Sequence, residues 1–315
     1  MEVGQCGELQ WSLFSSAARS YKRESLLKPF PPMFKQEDQK DFEALEECTR
    51  GMASIRDIDY GKLGSRAREL LDWVLSGDDV SLCRVSHLKF EELKLLAGDA
   101  ASSSPPSPSF IFELLPSERS QERFQTLRQS RPLLYAYHGS QLPNFYSILH
   151  NGLVGNLNKT SLFGEGTYLS NELSVSLNWS PLSAPGSAIV GLGRKLSCVA
   201  FCEIIDDPQG VIHRQNSPKS SRNSVPEKYM VVQNDSLIRV KYLLVYAEPH
   251  PTRSVASRVA VWLGAHRFWL LLAAYFFVLC MVGLANSKDF HSYIRRFSHY
   301  WLTDYHHHSH YEDHR

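Results

Sequence analysis

Two short segments of the chain combine glycine with side chains that can hold a flat ligand. The first, YAYHGS, ends in His138, Gly139 and Ser140. The second, LFGEGTYLS, begins at Leu162 and contains Tyr168. A glycine lets the backbone approach a planar ligand closely because it has no Cβ, and histidine, serine and tyrosine supply groups for hydrogen bonding or stacking. The two segments therefore predict a binding cleft at the ends of strand-like runs.

The elements that must position these residues follow a helix-then-strand order. Residues 8–97 carry apolar side chains at helical spacing, from Leu9 onward and most clearly in the stripe from Leu63 to Leu75, and the last of these helices is predicted to end at Gly98. Beyond them, short apolar runs such as 110–115 and 133–137 are typical of strands. This order predicts an α+β fold in which a small helical domain packs on a β-sheet domain.

Composition marks the boundaries between the predicted parts. A stretch rich in serine and proline separates the helical half from the strand-like half, as linkers commonly do. The polar, proline-dotted residues 206–228 predict a mobile loop within the second half. The predicted segments are a helical domain (1–98), a linker (99–109), a β-sheet domain (110–250), a second linker (251–267), an apolar helix (268–285) and a short tail (286–315).

The apolar helix is predicted to cross a membrane. Residues 268–285 read FWLLLAAYFFVLCMVGLA and contain no charge. They would rise about 27 Å as a helix, close to the ~30 Å of a hydrocarbon core. A buried core helix is the alternative, but it would be expected to show a polar stripe. The late position of the run, and an N-terminus without the features of a secretory signal, predict a C-terminal anchor with the preceding domains in the cytosol.

Charge and cysteine content exclude some classes of protein. The 315 residues carry a formal net charge of +1, so we expect no nucleic-acid partner. No CxxC pair occurs among the six cysteines, which argues against a zinc or redox site and favours a reducing compartment. Cys198 and Cys202 are predicted to be buried free thiols. The histidine-rich residues 306–314 could bind a metal, but a solvated polar tail is the preferred interpretation, and we expect no metal.

Several of these motifs occur together in one known family. The HGS motif with Asn144, the run ILHNGL (148–153), the run FGEGTYL (163–169) and the final VKYLLV (240–245) resemble the catalytic domain of the poly(ADP-ribose) polymerase family. The resemblance covers roughly residues 110–247. It implies an ADP-ribosyltransferase-type β-sheet domain that uses NAD+ as its substrate.

The resemblance also assigns roles to individual residues. It implies that His138 hydrogen-bonds the adenosine ribose and that Gly139 pairs its backbone with the nicotinamide amide. Tyr168 would line the nicotinamide face, Ser176 would bind the amide, and Trp179 would stack where the family usually has a tyrosine. The predicted NAD+-binding residues are His138, Gly139, Ser140, Tyr168, Ser176 and Trp179, and the predicted catalytic residues are His138, Tyr168 and Tyr229.

The residue at the third catalytic position determines whether the product is a chain of ADP-ribose or a single unit. Polymerising members of the family carry a glutamate there, whereas alignment without gaps from the last strand places Tyr229 at this position. A phenol is neutral at pH 7 and cannot replace a carboxylate base, so the implied product is a single ADP-ribose unit. A shift of two residues would preserve strand facing and place Glu227 there instead, and that alternative remains open.

The function expected from the sequence is mono-ADP-ribosylation of proteins, including the enzyme itself, with NAD+ as donor. The helical N-terminus and late apolar run, added to the catalytic motifs, imply a tail-anchored enzyme at the cytosolic face of the endoplasmic reticulum. A role in the unfolded-protein response follows from the same resemblance, and the nuclear envelope is an alternative location. The competing hypothesis is a catalytically weak NAD-binding membrane scaffold.

Overall fold

The computed structural model describes residues 2–50, 52, 55, 58–76, 81–99, 105–155, 164–183, 192–213, 226–249, 262–263, 266–286 and 292. Most of the predicted second linker and tail, residues 214–225 of the predicted loop, linker residues 100–104 and the histidine-rich segment lie outside these residues. Met1–His250 form one compact unit and Pro251–Arg315 form a second.

Within the first unit, helices come first along the chain and then alternate with the strands. The α-helices are α1 (Glu2–Ala18), α2 (Arg23–Leu26), α3 (Phe42–Thr49), α4 (Ser65–Leu75), α5 (Lys89–Ala97), α6 (Glu118–Arg128), α7 (Asn144–Asn151) and α8 (Leu173–Leu177). The strands are β1 (Lys35–Gln36), β2 (Gln39–Lys40), β3 (Ser81–Val85), β4 (Phe110–Leu115), β5 (Leu133–Gly139), β6 (Thr167–Ser170), β7 (Lys195–Ile205), β8 (Val211–Ile212), β9 (Tyr229–Val232) and β10 (Ile238–Glu248).

An eight-stranded antiparallel sheet forms the centre of this unit. Its strand order is β3-β4-β10-β7-β5-β6-β9-β8, and a separate two-stranded ribbon joins β1 and β2. Strand β7 reads KLSCVAFCEII and is buried along almost its whole length, as expected for a central strand covered on both faces. Cys198 and Cys202 lie on it as buried free thiols, which confirms their prediction.

Helix α1 connects the N-terminal helices to the elements around the large sheet. The Phe14 side chain is fully buried and meets the ring of Tyr146, on α7, edge-on with 5.5 Å between ring centroids. The Tyr146 hydroxyl then donates to the carbonyl of Pro29, 2.9 Å away. On the same face of α1, the Trp11 ring lies 5.6 Å from the Phe14 ring, and its indole donates to Met52 O at 3.0 Å. Aromatic side chains therefore connect the helical region to a helix that follows the HGS motif.

The structure confirms the predicted helix-then-strand order and contains elements that were not predicted, among them β3, α6 and α8. Predicted strands over 110–115 and 133–137 correspond to β4 and β5, and the predicted end of α5 at Gly98 has a left-handed glycine with φ of 66°. Strand β3 was read as part of the helical region, yet it pairs with β4 at the sheet edge. Helices α6 and α8 were also missed, because α6 is largely polar and α8 has only five residues.

The second unit contains one long helix, α9 (Arg267–Asn286), which confirms that the predicted apolar segment is helical. Judged by both length and hydropathy, no helix in the described part of the chain is able to span a bilayer. The membrane span predicted for residues 268–285 is therefore not confirmed.

Truncating Phe14 tests whether the helical region and the sheet unfold together. Phe14→Ala removes a fully buried ring that contacts α7, so the free energy of unfolding should fall by about 3–5 kcal/mol. Denaturant unfolding followed by tryptophan fluorescence and by circular dichroism should show one cooperative transition shifted to lower denaturant. Tyr21→Ala is the matched control, because this ring is 89% exposed and its loss should change stability by less than about 0.5 kcal/mol. Two separate transitions, with only the first shifted, would contradict joint unfolding.

Candidate active site

The site begins where β5 separates from one of its neighbours. Strand β5 pairs with β7 along its whole length, from Leu133↔Ile205 to Gly139↔Val199. With β6 it shares a single pair, Tyr137↔Ser170. The two strands therefore diverge beyond Tyr137, and the next residue, His138, lies at the start of the gap between them.

The His138 imidazole bridges this gap. Its Nδ1 lies 2.9 Å from the carbonyl oxygen of Tyr168 on β6, so a side chain takes the place of backbone pairing. Because a carbonyl only accepts, Nδ1 carries the proton and Nε2 is left as an acceptor. Burial lowers the pKa of His138, and the hydrogen bond to Tyr168 opposes this only in part. The ring is therefore neutral at pH 7 and can accept a hydrogen bond from a ligand hydroxyl.

Gly139 is required by the helix that packs on it. A Cβ at this position would lie 1.9 Å from the carbonyl oxygen of Ser176 and 3.0 Å from the Trp179 Cβ. We expected this glycine to allow a ligand to approach; what the structure shows is that it lets the backbone of α8 touch the end of β5. The contact brings Ser176 and Trp179 next to His138, so residues far apart in sequence meet at one place.

Ser176, on α8, and Trp179, two residues after its end, differ in environment. Ser176 is buried, and its hydroxyl donates to the Tyr137 carbonyl at 3.1 Å, which leaves the oxygen lone pairs able to accept. The Trp179 indole is 62% exposed, although large aromatic side chains are usually covered. One residue thus offers a fixed hydrogen-bonding group and the other an open ring face.

Ser140, in the turn that follows β5, is held by hydrogen bonds to Ser180 and Asn144. Its backbone N–H donates to the Ser180 hydroxyl at 3.0 Å, and its own hydroxyl accepts from Asn144 Nδ2 at 2.8 Å. The Ser197 hydroxyl donates to the Ser180 carbonyl at 2.5 Å. Ser180 was not predicted, because its partner is 40 residues away, and only its position directly after Trp179 could have indicated it.

Tyr168 lies on β6, and two glycines with unusual backbone angles precede it in the chain. Gly164 has φ of 103° and Gly166 has φ of 144°, conformations that favour glycine. At Gly166 a Cβ would also lie 2.6 Å from the carbonyl oxygen of Val232 on β9. The Tyr168 hydroxyl donates to Gly164 O at 2.7 Å, so the ring is fixed against the turn that precedes its own strand.

Tyr229 is the first residue of β9 and pairs with Ser170 of β6. The Ser170 hydroxyl donates to the carbonyl of Lys228 at 2.7 Å, which fixes this register. Glu227 lies in the turn before the strand, and its side chain is exposed. The strand pairing therefore places Tyr229, and not Glu227, in line with Ser170 and the Tyr137 pair on β5.

A separate cavity of about 800 Å³ lies between β4, α6, the end of α7 and the start of β10. It is lined by basic side chains such as Arg239 and Lys241 and by apolar ones such as Phe124. Arg239 is already bonded to Glu203, and Lys241 lies 2.8 Å from Glu113. None of the predicted site residues in the described part of the chain lines this cavity. This cavity is therefore separate from the candidate site at the end of β5, despite its size.

The site has the groups to orient a ligand and few that could move a proton. It presents a neutral imidazole acceptor, a buried serine and an exposed indole within one region. Within the described residues, no group of three or more histidine, cysteine or acidic side chains could hold a metal ion. Such a site suits an aromatic amide and a sugar hydroxyl, and its contribution to a reaction would be mainly positioning.

Comparisons with known proteins agree with this arrangement. Residues 89–213 match the family model described as the poly(ADP-ribose) polymerase catalytic domain, and residues 5–75 match the model described as the ARTD15 N-terminal domain. The chain is 40% identical over 303 residues to protein mono-ADP-ribosyltransferase PARP16 of Mus musculus, covering 92% of this chain and 93% of that protein. The Homo sapiens protein of the same name is 39% identical over 305 residues, with the same coverage.

A more distant relative matches part of its own length. Protein mono-ADP-ribosyltransferase PARP8 of Mus musculus is 23% identical over 300 residues, covering 78% of this chain and 32% of that protein. The catalytic-domain match covers residues 89–213, so it includes α5 and strands β4 to β8, whereas β3, β9 and β10 lie outside it.

Replacing Gly139 by alanine tests the contact between β5 and α8. Because the added Cβ would lie 1.9 Å from Ser176 O, α8 must move away, and affinity for nicotinamide should fall by at least about tenfold, or ~1.4 kcal/mol. Isothermal titration with nicotinamide measures the change. Gly64→Ala is the matched control, since its Cβ would meet nothing within 4 Å. Unchanged affinity in Gly139→Ala would show that α8 does not form the ligand site.

Proposed function

Since the chain belongs to the poly(ADP-ribose) polymerase family and is an NAD+-dependent mono-ADP-ribosyltransferase, we propose that the cleft at the end of β5 is its NAD+ site. The observation that carries this proposal is the contact of Gly139 with Ser176, which brings α8 beside His138. The residues present fit the nicotinamide and ribose parts of NAD+, as the following paragraphs argue.

The nicotinamide end of NAD+ is assigned to α8 and Gly139. The Gly139 backbone and the Ser176 oxygen hold the carboxamide, because Ser176 already donates to Tyr137 and keeps lone pairs for an N–H. The exposed Trp179 indole stacks on the pyridinium ring, which carries positive charge and is attracted to an aromatic face. Directional bonds and stacking together would fix the ring in one orientation.

The adenosine ribose of NAD+ is assigned to His138. Its Nδ1 proton is used by the Tyr168 carbonyl, so the neutral ring can only accept at Nε2. A sugar hydroxyl is a suitable donor for that atom. Protonation would turn Nε2 into a donor, and burial opposes that change by disfavouring the charged ring.

Transfer breaks the bond between nicotinamide and ribose, and the sugar gains positive charge as the ring leaves. The enzyme's contribution is to hold both ends of NAD+ so that this bond is exposed to an acceptor side chain. Tyr168, on β6, is assigned to the wall of the site, and Tyr229, the first residue of β9, is assigned to the third catalytic position. Because a phenol is a poor base at pH 7, elongation of a chain is not supported and each acceptor receives one unit.

The proposed acceptors are protein side chains, including those of the enzyme itself. Aspartate, glutamate, lysine and serine all have nucleophilic groups of the required kind. Glu227 and Lys228 are exposed in the turn directly before Tyr229, which makes them candidates for self-modification.

Removing the His138 ring tests the assignment of the site. The full-length His138→Ala variant, incubated with labelled NAD+, should lose about tenfold to a hundredfold in self-labelling, because one buried hydrogen bond to the donor and the link to β6 are both lost. His87→Ala, a change at an exposed histidine on a turn, is the matched control and should label normally. Mass spectrometry of the wild-type product should show single ADP-ribose units. Equal labelling by both variants would remove His138 from the site, and chains of ADP-ribose would contradict the role given to Tyr229.

We also propose that α9 attaches the enzyme to the endoplasmic reticulum membrane, with the catalytic unit in the cytosol and a role in the unfolded-protein response. The uncharged run 268–285 supports attachment. Large apolar side chains on α9 are exposed, for example Leu271 at 71% and Phe277 at 66%, and an apolar environment would cover them. Six free cysteines are compatible with a reducing compartment.

Charges placed in α9 test the location. Leu271→Lys combined with Leu279→Lys should move the full-length chain from the membrane pellet to the supernatant, since placing a lysine in the apolar part of a membrane costs roughly 2.5–3.5 kcal/mol. Self-modification induced by unfolding stress in cells should fall in the same variant. Leu88→Lys combined with Leu95→Lys, at leucines 85% and 83% exposed in the first unit, is the control. Unchanged pelleting, or co-fractionation with a membrane other than the endoplasmic reticulum, would contradict the proposed location.

A further inference from the structure

The helix that carries Ser176 is too short to orient itself. Helix α8 has five residues, and its N-cap residue Glu172 makes no side-chain capping hydrogen bond. A helix of this length has few internal backbone bonds, so contacts from outside determine where it points. At its N-terminal end the Leu173 N–H donates to Asp99 Oδ2 at 3.1 Å, from a residue 74 positions earlier in the chain.

Asp99 is itself held in place by the end of α5. Its backbone N–H donates to the carbonyl of Lys94 at 3.0 Å, and the preceding Gly98 adopts a left-handed conformation with its N–H on Leu95 O. This is the geometry of a glycine-terminated helix, in which two otherwise free carbonyls are satisfied. Since α5 is anchored by its buried Phe90 and other apolar side chains, the Asp99 carboxylate is presented from a packed element.

The two ends of α8 are therefore fixed in different ways. Near its C-terminal end the Ser176 carbonyl touches Gly139 with no clearance. At its N-terminal end the hydrogen bond to Asp99 restrains Leu173. Leu173 is also fully buried, and the Glu172 N–H donates to Ser170 Oγ at 3.0 Å. Loss of the Asp99 bond should therefore shift α8 only partly about the Gly139 contact and move Ser176 and Trp179 relative to β5.

We propose that Asp99 is a positioning residue for the nicotinamide end of the NAD+ site, acting through the backbone of Leu173. The proposal rests on the assignment of Ser176 and Trp179 made above. It predicts selectivity: the nicotinamide end depends on Asp99, whereas the adenosine end, held by His138 on β5, does not.

The carboxylate could instead act through its charge. Burial raises the pKa of Tyr137, and the nearby Asp99 charge raises it further, so Asp99 lies close enough to β5 for its charge to act there. Asparagine separates the two explanations, because it keeps an oxygen acceptor for the Leu173 N–H and removes the charge.

The test compares two ligands on the full-length chain. In Asp99→Ala, affinity for nicotinamide should fall by about fivefold, the effect expected for one lost helix-capping bond, while affinity for ADP should stay within about twofold. Asp99→Asn should bind both ligands as the wild type does. Glu92→Ala is the matched control, because this α5 carboxylate pairs only with Lys89 among the contacts described, at 2.7 Å. Should Asp99→Ala not fold, Asp99→Glu replaces it: its longer side chain displaces the carboxylate, and nicotinamide alone should bind about twofold to threefold more weakly.

Each other outcome overturns the inference in a recognisable way. Equal losses for nicotinamide and ADP would indicate general structural damage. A loss in Asp99→Asn as large as in Asp99→Ala would assign the effect to charge, and no loss in any variant would show that α8 is held without Asp99. A wild-type chain that binds neither ligand would instead contradict the proposed NAD+ site itself.

Discussion

At Gly139 the end of β5 touches the backbone of α8 so closely that a single methyl group has no room. The hypothetical Cβ would lie 1.9 Å from the carbonyl oxygen of Ser176, far inside any van der Waals contact. This contact places Ser176 and Trp179 beside His138. A five-residue helix can carry ligand-binding groups here because its position is imposed by the strand beneath it.

The second constraint is the limited pairing of β5 with β6. One shared pair, Tyr137↔Ser170, joins the strands, and the His138 ring spans the opening beyond it to reach Tyr168 O. The same bond fixes the tautomer and, with burial, keeps the imidazole neutral. A residue that joins two strands thus also becomes a hydrogen-bond acceptor for a sugar. Chemistry at this site follows from orientation, in keeping with a reaction whose leaving group needs little proton transfer.

Much of the fold could be predicted from the sequence because the responsible signals are local. Apolar alternation and helical stripes located β4, β5, α1 and α4, and Gly98 marked the end of α5. The missed strand β3 carries no comparable signal: its residues SLCRV are half-exposed, and only pairing with β4 makes them a strand. Helix α8 was missed for the same reason, since its stability comes from contacts outside its own five residues.

The sequence by itself determined the family, the donor substrate and the candidate residues, because the HGS motif, Tyr168 and the final strand occur together in one chain. The tertiary structure decided why Gly139 is a glycine, that Ser180 holds Ser140, and that Tyr229 instead of Glu227 pairs with Ser170. These facts depend on contacts between residues that are tens of positions apart. Residue types and local spacing carry no information about such distances, which arise only when the strands and helices pack.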